Sequence, residues 1–211
     1  MRFFRQPMLF FKLFPQIIWR GAELQHQVYL SFDDGPHPIH TPAILDILNQ
    51  EQVPAIFFVL GYKTIQHPDL VKQIHQQGHQ IGIHGFQHER LFHQSIDYLS
   101  QQLGRSKSAV EAVIGEQVQF FRPPFGIFSP RLLNMCTKLR LKMVLWSLML
   151  YDFDIKLSDR FIISLAHQKV TEGDIILLHD GHLNSYRTVR ILSSMIQHVK
   201  KKGLKFGLIT K

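Results

Sequence analysis

The sequence contains one cysteine, Cys136, so the chain cannot form an internal disulfide. This removes the usual sign of an oxidising compartment without proving a reducing one. The sequence also lacks any apolar run of about eighteen residues, which excludes a conventional transmembrane helix. Acidic residues are few, since 16 Asp and Glu stand against 24 Lys and Arg, giving a formal charge of +8. That charge favours polyanionic surroundings. Because the sequence has no stripe of basic and aromatic residues, we do not expect nucleic-acid binding.

A chain of 211 residues with 45% hydrophobic and 19% charged residues suits a single globular domain. We distinguish an N-terminal aromatic and basic segment, residues 1–26, from the main domain, residues 27–211. The segment does not resemble a secretory signal, because Lys12 and Pro15 interrupt its apolar run and no small-residue cleavage site follows. We therefore expect a cytoplasmic or membrane-peripheral location, and an export route that the sequence does not reveal stays open.

From Gln27 onward, strand-like and helix-like patterns alternate. Short apolar runs typical of buried strands occur at 28–32, 55–60, 80–83, 119–121, 143–148, 174–178 and 204–209. Stretches with helical spacing lie between them, at 42–50, 68–77, 95–114, 130–139, 158–168 and 187–201. Seven units of this kind predict an α/β fold with a parallel sheet that is closed or nearly closed.

Residues 1–19 allow two interpretations. Their phenylalanines, leucines and isoleucines, with Trp19, could pack on or near the floor of the predicted barrel. Alternatively, they could form an interfacial anchor whose Arg and Lys side chains meet anionic lipid. Packing is favoured, because exposed aromatic residues at this density are a liability unless they are covered.

Five short apolar runs are followed by residues capable of chemistry: four of the predicted strands precede Asp33-Asp34, His84, Arg122 and His179, and the run 143–145 precedes Trp146. In barrel-like α/β proteins, the loops at the carboxyl ends of parallel strands converge on one face. We therefore expect these residues to form one active site, although they are scattered along the sequence.

Asp33 and Asp34 precede Gly35-Pro36, which forces a turn. Adjacent residues at a strand end point in different directions, so one carboxylate could bind a cation while the other faces substrate. This arrangement suits a metal-activated water with its own general base. For this motif alone, a surface turn is the favoured alternative, because Asp, Gly and Pro all form turns.

His84 and His88 have the spacing at which two imidazoles on one helical turn can reach the same metal ion. His75 and His79 share this spacing, but only the first pair directly follows a strand. With an aspartate, the first pair would provide the mixed nitrogen and oxygen ligands of a catalytic zinc site.

Arg122 precedes two prolines that stiffen the next turn, so a free N–H there could stabilise an oxyanion and Arg122 could orient a carboxylate. A proline-rich turn with a surface arginine is the alternative. His179 could be a general acid near neutral pH, although a single histidine at a strand end is more often structural.

Five segments carry a resemblance to a known family. They are SFDDGP (31–36), HGFQH (84–88), RPPFG (122–126), WSLMLYDF (146–153) and LLHD (177–180). Their order and spacing resemble the five motifs of the polysaccharide deacetylases, the NodB homology domain of carbohydrate esterase family four. The resemblance covers about residues 27–209, and five ordered motifs outweigh the alternatives for each motif taken alone.

The resemblance implies a single-domain, distorted (β/α)7 barrel with a divalent metal ion, usually Zn²⁺. The metal ligands would be Asp34, His84 and His88. Asp33 would be the general base that deprotonates a metal-bound water, and Arg122 would orient Asp33.

The resemblance also implies that His179 protonates the leaving amine, while Asp152 fixes its tautomer and raises its basicity. The backbone N–H of Phe125, where the family commonly has Tyr, would stabilise the oxyanion. Substrate would contact Pro124, Phe125, Trp146, Phe153 and Leu177, with Leu177 lining the acetyl pocket.

Three positions depart from the family pattern. Gly85 replaces a usual Ser or Thr, which removes a hydroxyl expected to brace the metal loop but removes no ligand. Met149 replaces a common Asp, and Phe153 replaces a common Trp, so position 153 lacks an indole N–H but still offers an apolar wall. We therefore expect the catalytic chemistry to be retained and the substrate-binding groove to be altered.

The predicted function of this deacetylase-like catalytic domain is removal of the N-acetyl group from amino sugars of a glycan, such as a chitin-like oligosaccharide or peptidoglycan. The resemblance implies that the metal-bound water attacks the amide and acetate leaves. A deacylase, esterase or amidohydrolase acting on an O-acetyl sugar or a cyclic imide is the enzymatic alternative. An inactive glycan-binding module is the non-enzymatic one, although a binder needs no general acid. The sequence predicts neither the natural glycan nor the oligomeric state.

Overall fold

The computed structural model describes residues 4–21 and 26–210. Its strands are β1 Gln27–Asp33, β2 Ile56–Val59, β3 Gln80–Ile83, β4 Phe120–Phe121, β5 Lys142–Met143, β6 Leu148–Met149, β7 Ile175–His179 and β8 Lys205–Phe206. Its helices are α1 Met8–Leu13, α2 His40–Glu51, α3 Gly61–Gln66, α4 Pro68–Gln76, α5 Ile96–Ile114, α6 Pro130–Lys138, α7 Asp159–Lys169 and α8 Tyr186–Lys201. A 3-10 turn occupies Pro124–Gly126. No helix in the described ranges is both long and apolar enough to cross a membrane.

The strands form one sheet in the order β5-β4-β3-β2-β1-β7-β6, with β8 added to the start of β1. Each pairing between these strands is parallel, so their carboxyl ends lie at the same edge. The register sets Asp33 opposite both Phe58 and His179. The predicted parallel sheet is confirmed, and an interior strand, β1, carries the candidate base.

The core lies between the sheet and its surrounding helices. Phe32 and Phe57 stack with ring centroids 4.9 Å apart on neighbouring strands. Helix α8 buries an apolar face made of Ile191, Leu192, Met195, Ile196 and Val199. Such burial is the main source of helix stability in a folded domain. Serine side chains cap the first turns of α5, α6 and α7, and therefore fix where these helices begin.

The predicted strand at 143–148 is wrong in one respect, because the structure divides it into β5 and β6. The N-terminal segment inserts its backbone beside the intervening residues: Leu145 N–H donates to the Ile18 carbonyl at 2.8 Å, and Gln6 N–H donates to the Ser147 carbonyl at 3.1 Å. Helices α1 and α3 were not predicted, since each has only 6 residues and therefore too few turns for a periodic pattern.

The N-terminal segment is fastened at both of its described ends. Ile17 and Trp19 are buried, and Trp19 packs against Phe128. Arg5 and Arg20 both donate to the fully buried Asp174, at 2.6 and 2.8 Å. Burial alone would raise the pKa of Asp174, but the hydrogen bonds from Arg5 and from Ser147 hold it below its usual value.

Helix α1, between these fastened ends, presents large apolar side chains to solvent. Met8, Leu9 and Leu13 are 71%, 63% and 57% exposed. Within the described residues, packing and exposure therefore alternate along the segment. Residues 1–3 and 22–25 of the predicted segment 1–26 lie outside the described residues.

Candidate active site

Three side chains with metal-ligating atoms meet at the carboxyl edge of the sheet. The His84 Nε2 and His88 Nε2 atoms lie 3.5 and 3.3 Å from Asp34 Oδ1. All three atoms lie within 4.8 Å of one another, and this is the one such group found among the described residues. Asp34 Oδ1 is buried without a hydrogen-bond partner in the described part of the chain. A buried carboxylate oxygen in this state fits a bound cation, because it would otherwise lose its hydration without compensation.

The helical-turn rationale for His84 and His88 is wrong, because both residues lie in the loop after β3. Gly85 has φ of +91°, a left-handed conformation that turns the loop back on itself. As a result the two imidazole rings are tilted towards each other with centroids 5.3 Å apart.

The loop that carries these histidines is braced despite the missing hydroxyl at Gly85. The Gly85 carbonyl accepts hydrogen bonds from Ser106 Oγ of α5 and from the Gly61 N–H at the start of α3, both at 2.9 Å. Tyr62 N–H donates to the Phe86 carbonyl at 3.0 Å. Two helices therefore hold the backbone that a Ser or Thr side chain would have braced.

The tautomer of His84 follows from its hydrogen bond. Its Nδ1 lies 2.7 Å from the Arg122 carbonyl, which can only accept, so Nδ1 carries the proton and the Nε2 lone pair faces Asp34. Burial lowers the pKa of His84 to about 3, which keeps the imidazole neutral. A neutral imidazole oriented by a backbone carbonyl is a competent metal ligand.

Asp33 is held by a buried arginine. Arg122 Nη1 donates to Asp33 Oδ1 at 2.7 Å and to Ser31 Oγ at 2.9 Å. The remaining guanidinium nitrogens donate to the carbonyls of Val144 and Leu145, which fixes the plane of the group. Burial raises the pKa of Asp33, while the Arg122 charge acts in the opposite direction. The Asp33 carboxylate is consequently oriented as well as ion-paired.

His179 is paired with Asp152, which is buried behind it. His179 Nδ1 donates to Asp152 Oδ1 at 2.9 Å, and the other carboxylate oxygen accepts from the His179 N–H and from Thr188 Oγ1. This geometry puts a proton on Nδ1 and leaves Nε2 for proton transfer. Burial would lower the pKa of His179, but the charge of Asp152 outweighs it and raises the pKa to about 9.

The turn after β4 has an unusual backbone. Phe125 has φ of 60°, which is rare for a residue with a side chain, and its N–H makes no hydrogen bond within the described part of the chain. Gly126 also has positive φ, and a Cβ there would lie 2.4 Å from the Trp146 ring. Strain of this kind is concentrated at functional sites, where it positions backbone groups.

These groups surround a cavity of about 540 Å³. It is lined by Asp33, Asp34, His84, His88, Phe125, Trp146, Met149, Tyr151, Phe153, Leu177, His179 and His182. Pro124, a predicted substrate contact, is not among the lining residues and is buried beside Gly85. Tyr151 and His182 were missed by the sequence reasoning. The one available signal for His182 was its position three residues after His179.

The second histidine pair lies away from this cavity. His79 is buried in the core, where its Nδ1 accepts the Ala55 N–H and its ring packs edge-on against Phe57. His75 lies 3.6 Å from Glu116. Sequence spacing therefore did not distinguish the pairs, whereas position after a strand did.

Replacing His84 by Ala should remove zinc from the purified protein, because the deleted imidazole is the most deeply buried member of the candidate metal-ligand group. His75→Ala is the matched control, since it deletes a histidine of the same spacing outside the group. Zinc per chain would be measured by elemental analysis after dialysis. Equal zinc loss in both variants, or a wild type that binds no zinc, contradicts the assignment.

A possible cation site beside an oriented carboxylate and a histidine–aspartate pair fits the layout of a metallohydrolase. A family model described as polysaccharide deacetylase matches residues 20–144 of this chain. The chain is 30% identical over 195 residues to a peptidoglycan-N-acetylglucosamine deacetylase of Bacillus cereus, covering 92% of this chain and 91% of that protein. It is 34% identical over 163 residues to a chitooligosaccharide deacetylase of Azorhizobium caulinodans, covering 77% of each.

Solved structures give the same result. A peptidoglycan N-acetylglucosamine deacetylase bound to a benzamide compound matches with a TM-score of 0.86 at 30% identity, covering 91% of this chain and 90% of that one. A pseudoenzyme of carbohydrate esterase family four from Bacillus anthracis matches with a TM-score of 0.83 at 25% identity, covering 90% and 66%. This chain belongs to the polysaccharide deacetylase family, and the predicted distorted (β/α)7 barrel is confirmed.

Proposed function

We propose that the protein is a zinc-dependent N-deacetylase that removes acetyl groups from the amino sugars of a glycan, either peptidoglycan or a chitin-like oligosaccharide. One observation carries the proposal: a possible metal site, an oriented carboxylate and an aspartate-paired histidine line the same cavity. The curated relatives named above as peptidoglycan and chitooligosaccharide deacetylases support this substrate class.

Asp34, His84 and His88 would hold the cation. One carboxylate oxygen and two imidazole nitrogens form the mixed ligand set that zinc accepts at catalytic sites, with a coordination position left open. When bound, the ion would act as a Lewis acid that lowers the pKa of water and polarises the amide carbonyl.

Asp33 would accept the proton of the attacking water. The carboxylate is available because Arg122 engages Oδ1, while Oδ2 lies on the side of His84 at 3.9 Å from its Nε2 atom. The Arg122 contact also prevents the carboxylate from rotating away. A general base requires this, because it must stay within hydrogen-bond reach of the proton that it accepts. The N–H of Phe125, which has no partner among the described residues, would donate to the amide oxygen as negative charge develops.

His179 would deliver a proton from Nε2 to the amine as the carbon–nitrogen bond breaks. Asp152 holds the Nδ1 proton and stabilises the charged imidazole. Because Asp33 and His179 lie opposite each other on β1 and β7, base and acid would approach the amide from neighbouring strands. The apolar side chains of Trp146, Phe153 and Leu177 supply walls for the sugar ring and the acetyl methyl group.

Two alternatives differ from this proposal in measurable ways. An esterase acting on O-acetyl sugars would need the same site, because acyl transfer chemistry does not specify the leaving atom. A glycan-binding module is the other alternative, and a pseudoenzyme exists among the similar structures. The presence of Asp33, Asp34 and both ligand histidines in this chain argues against it.

The direct test supplies the zinc-loaded protein with N-acetylglucosamine oligomers and measures released acetate and new free amines. The proposal expects both products in equal amounts, and their loss when zinc is removed by a chelator. Release of acetate only from O-acetylated sugars would favour the esterase. Oligomer binding without acetate release, at full zinc content, would favour the binding module.

The exposed face of α1 supports membrane-peripheral action of this enzyme. Met8, Leu9 and Leu13 are exposed to solvent, and residues 1–21 contain four basic and no acidic residues. Both features favour an anionic lipid interface.

The double variant Leu9→Ser, Leu13→Ser should therefore sediment less with phosphatidylglycerol vesicles than the wild type does. The control replaces the equally exposed Ile39 and Ile155 by Ser, and equal loss in both variants contradicts the proposal.

A further inference from the structure

A second histidine lies on the acid side of the cavity. His182 lies in the loop that follows β7, three residues after His179, and both side chains line the cavity. The His182 ring centroid lies 6.0 Å from that of His179 and 5.6 Å from that of Phe153. His182 is therefore next to the group that would protonate the leaving amine.

The protonation state of His182 is set by a backbone donor. Its Nδ1 accepts the Asn184 N–H at 3.1 Å, so Nδ1 carries no proton. Adding a proton to Nδ1 would turn two N–H groups towards each other. The neutral ring therefore carries its proton on Nε2, and that N–H is its remaining polar group. Burial also lowers the pKa of His182, which favours the same neutral form.

His179 and His182 are consequently unlike in chemistry. His179 donates from Nδ1 to Asp152 and can gain or lose a proton at Nε2. Among the residues that the structure describes, no carboxylate is hydrogen-bonded to His182 Nδ1, where it would stabilise a charged ring. A permanent Nε2–H donor suits binding, whereas a group that changes protonation suits catalysis.

The loop that presents His182 is tied down on the same side of the cavity. Asn184 Nδ2 donates to the Phe153 carbonyl at 2.9 Å, and Ser185 N–H donates to the His182 carbonyl at 3.0 Å. Phe153 in turn packs edge-on against His179, with centroids 5.0 Å apart. The donor is therefore fixed relative to the general acid and the aromatic wall, as recognition of a substrate requires.

We infer that His182 is a substrate-binding residue whose Nε2–H donates to a hydroxyl of the sugar ring that carries the amine. This inference rests on the proposed function, because the leaving amine and its ring must lie beside His179. A hydroxyl in a cavity with largely apolar walls needs a donor or acceptor to replace its lost water. An acceptor hydroxyl on the leaving ring matches the single donor that His182 offers.

The test compares His182→Phe, which keeps a ring without the donor, with His182→Gln, which restores an N–H at similar reach. On N-acetylglucosamine oligomers, His182→Phe should raise KM about tenfold, the value of one lost hydrogen bond, and change kcat less than threefold. His182→Gln should recover most of the loss. Hydrolysis of an activated aryl acetate, which has no sugar hydroxyl, should be unchanged in both variants.

Three results would overturn the inference. They are loss of zinc in His182→Phe, a fall in kcat on both substrates, and an unchanged KM on the oligomers. If the wild type releases no acetate at all, the proposed function fails separately. In that case calorimetric binding of the oligomers still decides the role of His182, because weaker binding to His182→Phe supports it and equal binding refutes it.

Discussion

Asp33→Asn should lower kcat for acetate release from N-acetyl sugars about 10³-fold, within the range attributed to general base catalysis, and leave zinc content unchanged. Asn keeps the shape of Asp but cannot accept the proton of water at neutral pH. Its amide oxygen can still accept from Arg122, so the hydrogen-bonded frame around the site survives. The measurement is single-turnover acetate release together with zinc analysis.

Asp46→Asn is the matched control for this experiment. Asp46 is exposed on α2, and its substitution removes the same negative charge as Asp33→Asn. It should retain wild-type activity. A different result for Asp33→Asn would change the role assigned to Asp33. Its Oδ2 lies 3.9 Å from His84 Nε2, close to the candidate metal site. Loss of zinc together with activity would make Asp33 a ligand, and retained activity would remove it from the mechanism.

The second large effect is expected for His179→Ala and depends on the substrate. An amine expelled from an amide must be protonated as it leaves, whereas an activated phenolate leaves unaided. Hydrolysis of N-acetyl sugars should therefore fall about 10³-fold, while hydrolysis of an activated aryl acetate should fall less than tenfold. Zinc content should not change, because His179 lies outside the Asp34, His84 and His88 group.

Asp152→Asn should show a weaker effect of the same kind, since Asp152 is buried behind His179 and would act only by orienting and tuning its imidazole. The ratio of amide to ester activity, measured for both variants, separates the roles. Equal slowing on both substrates in His179→Ala would mean that His179 supports the site or the oxyanion. The proposed final proton transfer would then be wrong.

The meeting of distant motifs at one site could be predicted from the sequence because a parallel sheet aligns its strand ends. Asp33 and His179 are far apart in the sequence but share a register position on β1 and β7. The alternation of strands and helices was sufficient to predict that the site lies at the carboxyl edge of the sheet. The same reasoning explains why Arg122, after the two-residue strand β4, reaches Asp33.

Features that depend on loop conformation could not be predicted in this way. His182 enters the cavity because Asn184 and Phe153 tie its loop, and such hydrogen bonds leave no periodic signal. The division of the predicted strand at 143–148 depends on pairing with Ile18, more than 100 residues away along the chain. Similarly, φ of +91° at Gly85, rather than a helix, brings His84 and His88 together.

Arg122 links the two halves of the proposed chemistry through different parts of one residue. Its side chain holds Asp33, and its carbonyl holds the Nδ1 proton of His84. A displacement of β4 would therefore disturb the proposed proton acceptor and one candidate metal ligand together. The relative position of the proposed base and one candidate metal ligand thus depends on contacts with a single residue.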